Sequence, residues 1–200
     1  MSIPTLPAGD RAAARAAMRA LVDPARQVLE GVGIPADDDT ARRYLNTLME
    51  MTAGARQNPD RHLAQPTPGD DRDMPGLVVI AGIPIAGLCD QHVIPYTGTA
   101  LAAYVPSSGG RVPPAKITRM VQEYAARPTS QDEAARHIVA ALEHHLRPHG
   151  AAAILSATHS CMTLRGACAT GATVTTSHVR GDLATDPSLH AQLLTAWSRS

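Results

Sequence analysis

Phenylalanine is absent from this 200-residue chain, which has only one tryptophan and four tyrosines. Bulk in any core must therefore come from Leu, Ile, Val, Met and many Ala. So thin a core fits a subunit that completes its burial against neighbouring copies, although base composition alone also produces Ala-rich chains. Lysine is almost as scarce: 17 of the 18 basic residues are Arg, and the exception is Lys116. That residue either survives by chance on a solvated helix face or does something arginine cannot. Cysteine numbers three, an odd count that makes no secreted disulfide framework. Charge of one sign is missing too. The formal net charge is zero with the basic residues scattered, which argues against a nucleic-acid or membrane surface. The opening run Met1-Ser2-Ile3-Pro4-Thr5-Leu6-Pro7 lacks a basic and an apolar leader region, and no later run is long enough to span a bilayer. A reducing cytoplasm is the expected compartment.

The length suits one large domain, or a domain with a helical appendage. Apolar residues at helical spacing (Ala14, Met18, Leu21, Val22, Val28, Leu29) predict a helix pair, or one helix kinked at Pro24, over 10–33. A second helix is expected over 38–53, with Asp38, Asp39 and Thr40 as first-turn acids and cap. Residues 1–56 thus form a helical region. Pro, Gly and Asp without periodicity make 57–76 a linker, and 77–200 holds the remaining elements. There, Leu77–Ile80 with Ile83–Ile85, then 98–105, predict a hairpin-like unit. Pro113 and Pro114 open a helix over 115–126. Thr129 is expected to cap the next helix, to about Leu146, with Asp132 as its capping-box partner. Strands at 151–158 and 172–179 and a last helix over 187–197 follow. The order predicts an α+β fold, an antiparallel sheet with helices on one face.

Cys89-Asp90-Gln91-His92 falls in the connection of the first strand pair. Cys161 lies far downstream in His159-Ser160-Cys161-Met162. Two thiols and an imidazole are three good zinc ligands. Structural zinc sites are closed by four protein ligands, whereas a catalytic site keeps one position for water. Cysteines are also common as small buried hydrophobes, but a His at Cys-x-x-His spacing favours metal.

These motifs, taken in order, resemble the GTP cyclohydrolase I family. Cys89-Asp90-Gln91-His92 stands where the family has Cys-Glu-His-His. Ala103-Tyr104-Val105-Pro106 matches a strand end, and Lys116-Ile117-Thr118-Arg119-Met120-Val121 its Lys-x-x-Arg helix. Arg127-Pro128 and Gln131-Asp132 occupy its Arg-Pro and Gln-Glu positions. His159-Ser160-Cys161-Met162, Arg165-Gly166, Thr175-Thr176-Ser177 and Arg180-Gly181 match its C-terminal blocks. The resemblance implies the T-fold, pentameric rings stacked as a homodecamer, and active sites at subunit interfaces. It implies zinc held by Cys89, His92 and Cys161. The implied reaction is hydrolytic opening of the imidazole ring of GTP, with release of formate and formation of 7,8-dihydroneopterin triphosphate.

His159 maps onto a family histidine that moves protons, which suits an ordinary histidine pKa near ~6.5. As residues of one strand, His159 and Cys161 would share a sheet face. Lys116 and Arg119, three apart on a helix, would form a triphosphate pocket with Arg165, where solvated surface charge is the alternative. Gln131 and Asp132 map near the guanine, with helix capping the competing role for Asp132. Cys168 has no counterpart and is expected to be an ordinary packed thiol.

Several residues depart from the family. Gln91 replaces a histidine used in proton transfer and cannot titrate near neutrality, which would slow such a step by ~100-fold or more. Asp90 and Asp132 are each one methylene shorter than the family glutamates, and Pro113-Pro114-Ala115 removes a hydroxyl near the phosphates. Three readings follow. The chain completes the family reaction; or it stops at the formamidopyrimidine or opens another purine nucleotide or base; or it is a non-catalytic nucleotide-binding or regulatory paralogue.

Overall fold

The computed structural model describes residues 8–67, 76–108 and 110–200, with the backbone alone for 8–15. The chain divides into two compact units, one ending at Met51 and the other beginning at Thr52.

The first unit is two helices, α1 (Ala8–Gly31) and α2 (Asp38–Met51). Pro24 is accommodated inside a single α1 rather than splitting it. Val22, Ala25 and Ala41 are buried together, with Leu45 against them. Helix α1 terminates in left-handed Gly33 (φ 83°), a conformation that costs glycine nothing. The cap of α2 is Asp37, whose carboxylate accepts the Thr40 N–H at 2.8 Å.

In the second unit, strands β1 (Val78–Leu88), β2 (Pro95–Val105), β3 (Gly150–His159) and β4 (Val174–Gly181) form one antiparallel sheet in sequence order. The two apolar pieces expected at 77–80 and 83–85 are one strand. A register shift between Ile80 and Ile83 absorbs the break, with Gly82 at φ 65°. Helices α3 (Pro114–Ala125) and α4 (Gln131–Leu146) pack on one face, over Ile83, Ile85, Tyr96, Ala100, Ala102, Tyr104, Ala153, Leu155 and Ala157. On the opposite face Leu101, Ala103, Val105, Ala152 and Ile154 meet Leu183 of α6 (Asp182–Thr185) and Leu193 of α7 (Pro187–Ser198). Helices therefore reach both faces, and the inner strands read as continuous apolar runs. Alanines let the helices approach closely, and three of the four tyrosines (Tyr96, Tyr104, Tyr124) are buried. That is how a chain without Phe fills its interior. No helix among the described residues is long and apolar enough to cross a membrane.

Of the segment read as a linker, 68–75 lies outside the described residues, whereas 57–67 is held against α3. The Arg61 guanidinium makes two bonds to the Glu123 carboxylate, at 2.7 and 2.5 Å, and the Tyr124 hydroxyl donates to Asp60 at 2.5 Å. The Arg127 guanidinium donates to the carbonyls of Gly54 (3.2 Å) and Gln57 (3.0 Å). Helix α4 is capped one residue later than expected. The Ser130 hydroxyl accepts the Glu133 N–H at 3.2 Å, so neither Thr129 nor Asp132 has the capping role.

Candidate active site

The β1–β2 connection is a tight turn. The Val93 N–H donates to the Cys89 carbonyl at 2.8 Å, and the Cys89 N–H to that of Ile94 at 3.1 Å. Val93 carries φ 53°, an uncommon conformation for a β-branched residue. The turn sets the Cys89 Sγ 3.9 Å from the His92 Nδ1.

Cys161 arrives differently from expectation. Strand β3 stops at His159, and Ser160 begins a short helical turn, α5 (Ser160–Thr163). Strand alternation therefore does not relate His159 to Cys161. The helical turn instead carries the thiol toward the β1–β2 connection. The donor atoms of Cys89, His92 and Cys161 all lie within 4.8 Å of one another. Tetrahedral zinc with thiolate and imidazole ligands spaces its donors roughly 3.6–3.8 Å apart. A contraction of about an ångström at most would bring the three donors to that spacing, and the donor set fits zinc. Three protein ligands would leave a fourth position for water. Among the described residues no other His, Cys, Asp and Glu trio is close enough to hold an ion. Cys168 is exposed and outside this group.

His159 is 9% exposed and is the register partner of Tyr96 on β2. The two rings stack with centroids 4.9 Å apart and planes inclined by 22°. The His159 Nε2 lies 2.8 Å from the Gln131 Oε1. Its Nδ1 has no partner among the described residues and is not among the sealed, unpaired polar atoms. Burial holds the imidazolium below the ordinary histidine range. Burial, assisted by the negative charges of Cys89 and Asp90, pushes the Tyr96 phenol up to about 12.

A profile of the GTP cyclohydrolase I family matches residues 22–198. A GTP cyclohydrolase 1 of Rhodopirellula baltica is 37% identical over 173 residues, spanning 84% of this chain and 74% of the relative. That of Halalkalibacterium halodurans is 36% identical over 172 residues, with 86% of each chain covered. That of Mycolicibacterium gilvum is 35% identical over 196 residues, covering 95% of this chain and 92% of its own. This chain belongs to the GTP cyclohydrolase I family. It is a hydrolase of the GTP cyclohydrolase I type, built on that family's T-fold.

The remaining positions that match GTP cyclohydrolase I motifs fall into two groups. Gln131 is buried at 5% exposure, and its amide is used entirely within the chain. Asp132, beside it, is exposed, interacts electrostatically with Arg136 and enters no hydrogen bond or ion pair among the described residues. Lys116 is half-buried and Arg119 exposed on the first turns of α3; Arg165 is exposed after α5. None of these cations forms a salt bridge among the described residues, and no hydrogen bond joins them to the Cys89–His92–Cys161 group. Gln91 is exposed within the ligand turn, its side chain without a hydrogen bond among the described residues. Sequence reasoning missed Tyr96. The available signal was a tyrosine on a strand of a chain that has almost no other aromatic residues.

Proposed function

We propose that this chain opens the imidazole ring of GTP by hydrolysis, releases formate and yields 7,8-dihydroneopterin triphosphate. The observation that carries this reading is the three-donor group together with the buried, stacked His159 two residues before Cys161. Zinc bound to Cys89, His92 and Cys161 supplies Lewis acidity that brings the ionisation of water toward neutral pH. His159 takes a proton at Nδ1 and returns it as the ring opens. Lys116, Arg119 and Arg165 receive the triphosphate, and the Asp132 carboxylate accepts hydrogen bonds from the ring amide and exocyclic amine of guanine. Both open sheet edges, β1 and β4, suit continuation by further copies of the chain, and a homodecamer is the assembly we assign. A reducing compartment, the cytoplasm, suits a site built on free thiols.

A second reading is favoured by Gln91. An exposed amide cannot exchange protons where the family motif carries a histidine, so hydrolysis could end at the ring-opened formamidopyrimidine. One incubation of zinc-loaded protein with GTP separates the readings by formate assay and product mass. Formate with dihydroneopterin triphosphate supports the full reaction. A ring-opened product without formate supports the shortened one, and Gln91→His then restores formate release. No turnover with GTP refutes both.

A further inference from the structure

The side chain of Gln131 can be oriented without ambiguity. Its amide nitrogen lies 2.9 Å from the Leu155 carbonyl, 2.9 Å from the Val174 carbonyl and 3.2 Å from the Thr176 hydroxyl. Carbonyl oxygens only accept, so the NH2 group must face them. The reversed amide would set its oxygen against two carbonyl oxygens inside the core, with only the Thr176 hydroxyl able to donate to it. Gln131 therefore presents its Oε1 to His159, at 2.8 Å. An amide oxygen also only accepts, so the hydrogen in that bond belongs to the His159 Nε2. A neutral imidazole with its proton on Nε2 carries its lone pair on Nδ1. Nδ1 is the edge with no partner among the described residues.

We infer that Gln131 is a positioning residue, which fixes His159 in the Nε2–H tautomer and so leaves Nδ1 as the hydrogen-bond acceptor of the ring. The inference rests on the hydrolase reading above for its catalytic meaning, but not for the tautomer itself. It reassigns Gln131 from the guanine pocket to the support of the histidine. The amide spans α4, β3 and β4: its nitrogen ties the helix start to Leu155 and to the first residues of β4, while its oxygen holds the ring at the end of β3. Tyr96 closes the opposite face of that ring, so the imidazole is constrained both in its plane and against rotation. When Nδ1 takes a proton, the Nε2–H bond to Gln131 persists in the imidazolium. The ring then keeps its orientation through a proton-transfer cycle. Orienting partners of this kind are worth about 10–100-fold in activity elsewhere.

The test is a long-range 1H–15N spectrum of the labelled, zinc-loaded protein at mildly alkaline pH, with His159 assigned by its loss in His159→Asn. A pyrrole-like Nε2 and a pyridine-like Nδ1 are expected, and the opposite pattern overturns the inference. In Gln131→Leu the His159 pattern should shift toward a mixture of tautomers. In the same variant kcat for formate release should fall about 10–100-fold while KM for GTP stays within about threefold. A raised KM with unchanged kcat and an unchanged spectrum would instead make Gln131 a base contact and refute the positioning role. Should the variant not fold, the wild-type spectrum alone still decides. Because that spectrum needs no turnover, a wild-type protein that releases no formate defeats the hydrolase reading without touching the tautomer.

Discussion

The Tyr96 hydroxyl donates to the Ala125 carbonyl at 2.7 Å, tethering the ring that stacks on His159 to the C-terminal end of α3. Tyr96→Phe keeps the stack but leaves a buried carbonyl without its donor. Urea unfolding should show a loss of about 1–2 kcal/mol, while kcat stays within about threefold. A much larger fall in kcat at equal stability would mean that the hydroxyl itself takes part in turnover.

The same phenol sets an alkaline limit on stability. Its ordinary value is 10.0, and in the folded chain burial raises it to about 12. A raised acid retains its proton in the fold. The stabilisation is therefore fully present below about pH 10 and lost as pH rises toward about 12. This amounts to about 2–3 kcal/mol. Unfolding midpoints of the wild type should fall across that window, and Tyr96→Phe should flatten the fall.

Zinc held as proposed would depend on sulfur at two of the three cysteines. Cys89→Ser and Cys161→Ser should each lose stoichiometric zinc by elemental analysis, and about 10³-fold or more of activity. Cys168→Ser should keep both. Thiol titration of the zinc-loaded protein should find one reactive cysteine, rising to three after chelation. Two or more reactive thiols in the loaded protein would contradict the ligand set.

Lys116 is the only lysine in an arginine-rich chain and forms no salt bridge among the described residues. If an ammonium is what the site requires, Lys116→Arg should lower kcat/KM for GTP by about tenfold despite keeping its charge. Arg119→Ala should raise KM by about 10–100-fold, more so at low salt. Full activity in Lys116→Arg would identify the lysine as a chance survivor.

Gly87 lies where β1 passes the end of α3. A Cβ there would sit 2.1 Å from the Ala125 carbonyl and 2.7 Å from the Tyr96 hydroxyl. Gly87→Ala should cost about 2 kcal/mol or more in thermal unfolding and reduce activity with it. Gly76→Ala, with nothing within 4 Å, should change stability by less than about 0.5 kcal/mol.

The grouping of Cys89, His92 and Cys161 was legible because thiols are rare in this chain and Cys-x-x-His suits one turn. Helices α3 and α7 were legible from their proline starts. The cap of α4 was misplaced by one residue because Thr129 and Ser130 both carry hydroxyls, and only the backbone shows that Ser130 meets the Glu133 N–H. Segment 57–67 looked like a linker because its short 3-10 turns have no amphipathic period; Glu123 and Tyr124 hold its Arg61 and Asp60 from across the fold. The burial of Gln131 had no sequence signal. A polar residue at a helix start is ordinarily solvated, and its partners Val174 and Thr176 come from β4. Nor could alternation reveal that the chain turns helical at Ser160, since no Gly or Pro marks the change.

The pairing of Tyr96 with His159 has a consequence for how the chain reaches its native state. A slip of one residue between β2 and β3 would turn His159 to the other sheet face and shift the turn that carries Cys161. Such a chain retains only the Cys89–His92 pair, a weak chelate. An ion gripped by all three donors binds only the correctly registered sheet, so it draws the population toward that sheet by mass action. Zinc held as proposed would thereby favour the correctly registered chains over misaligned ones.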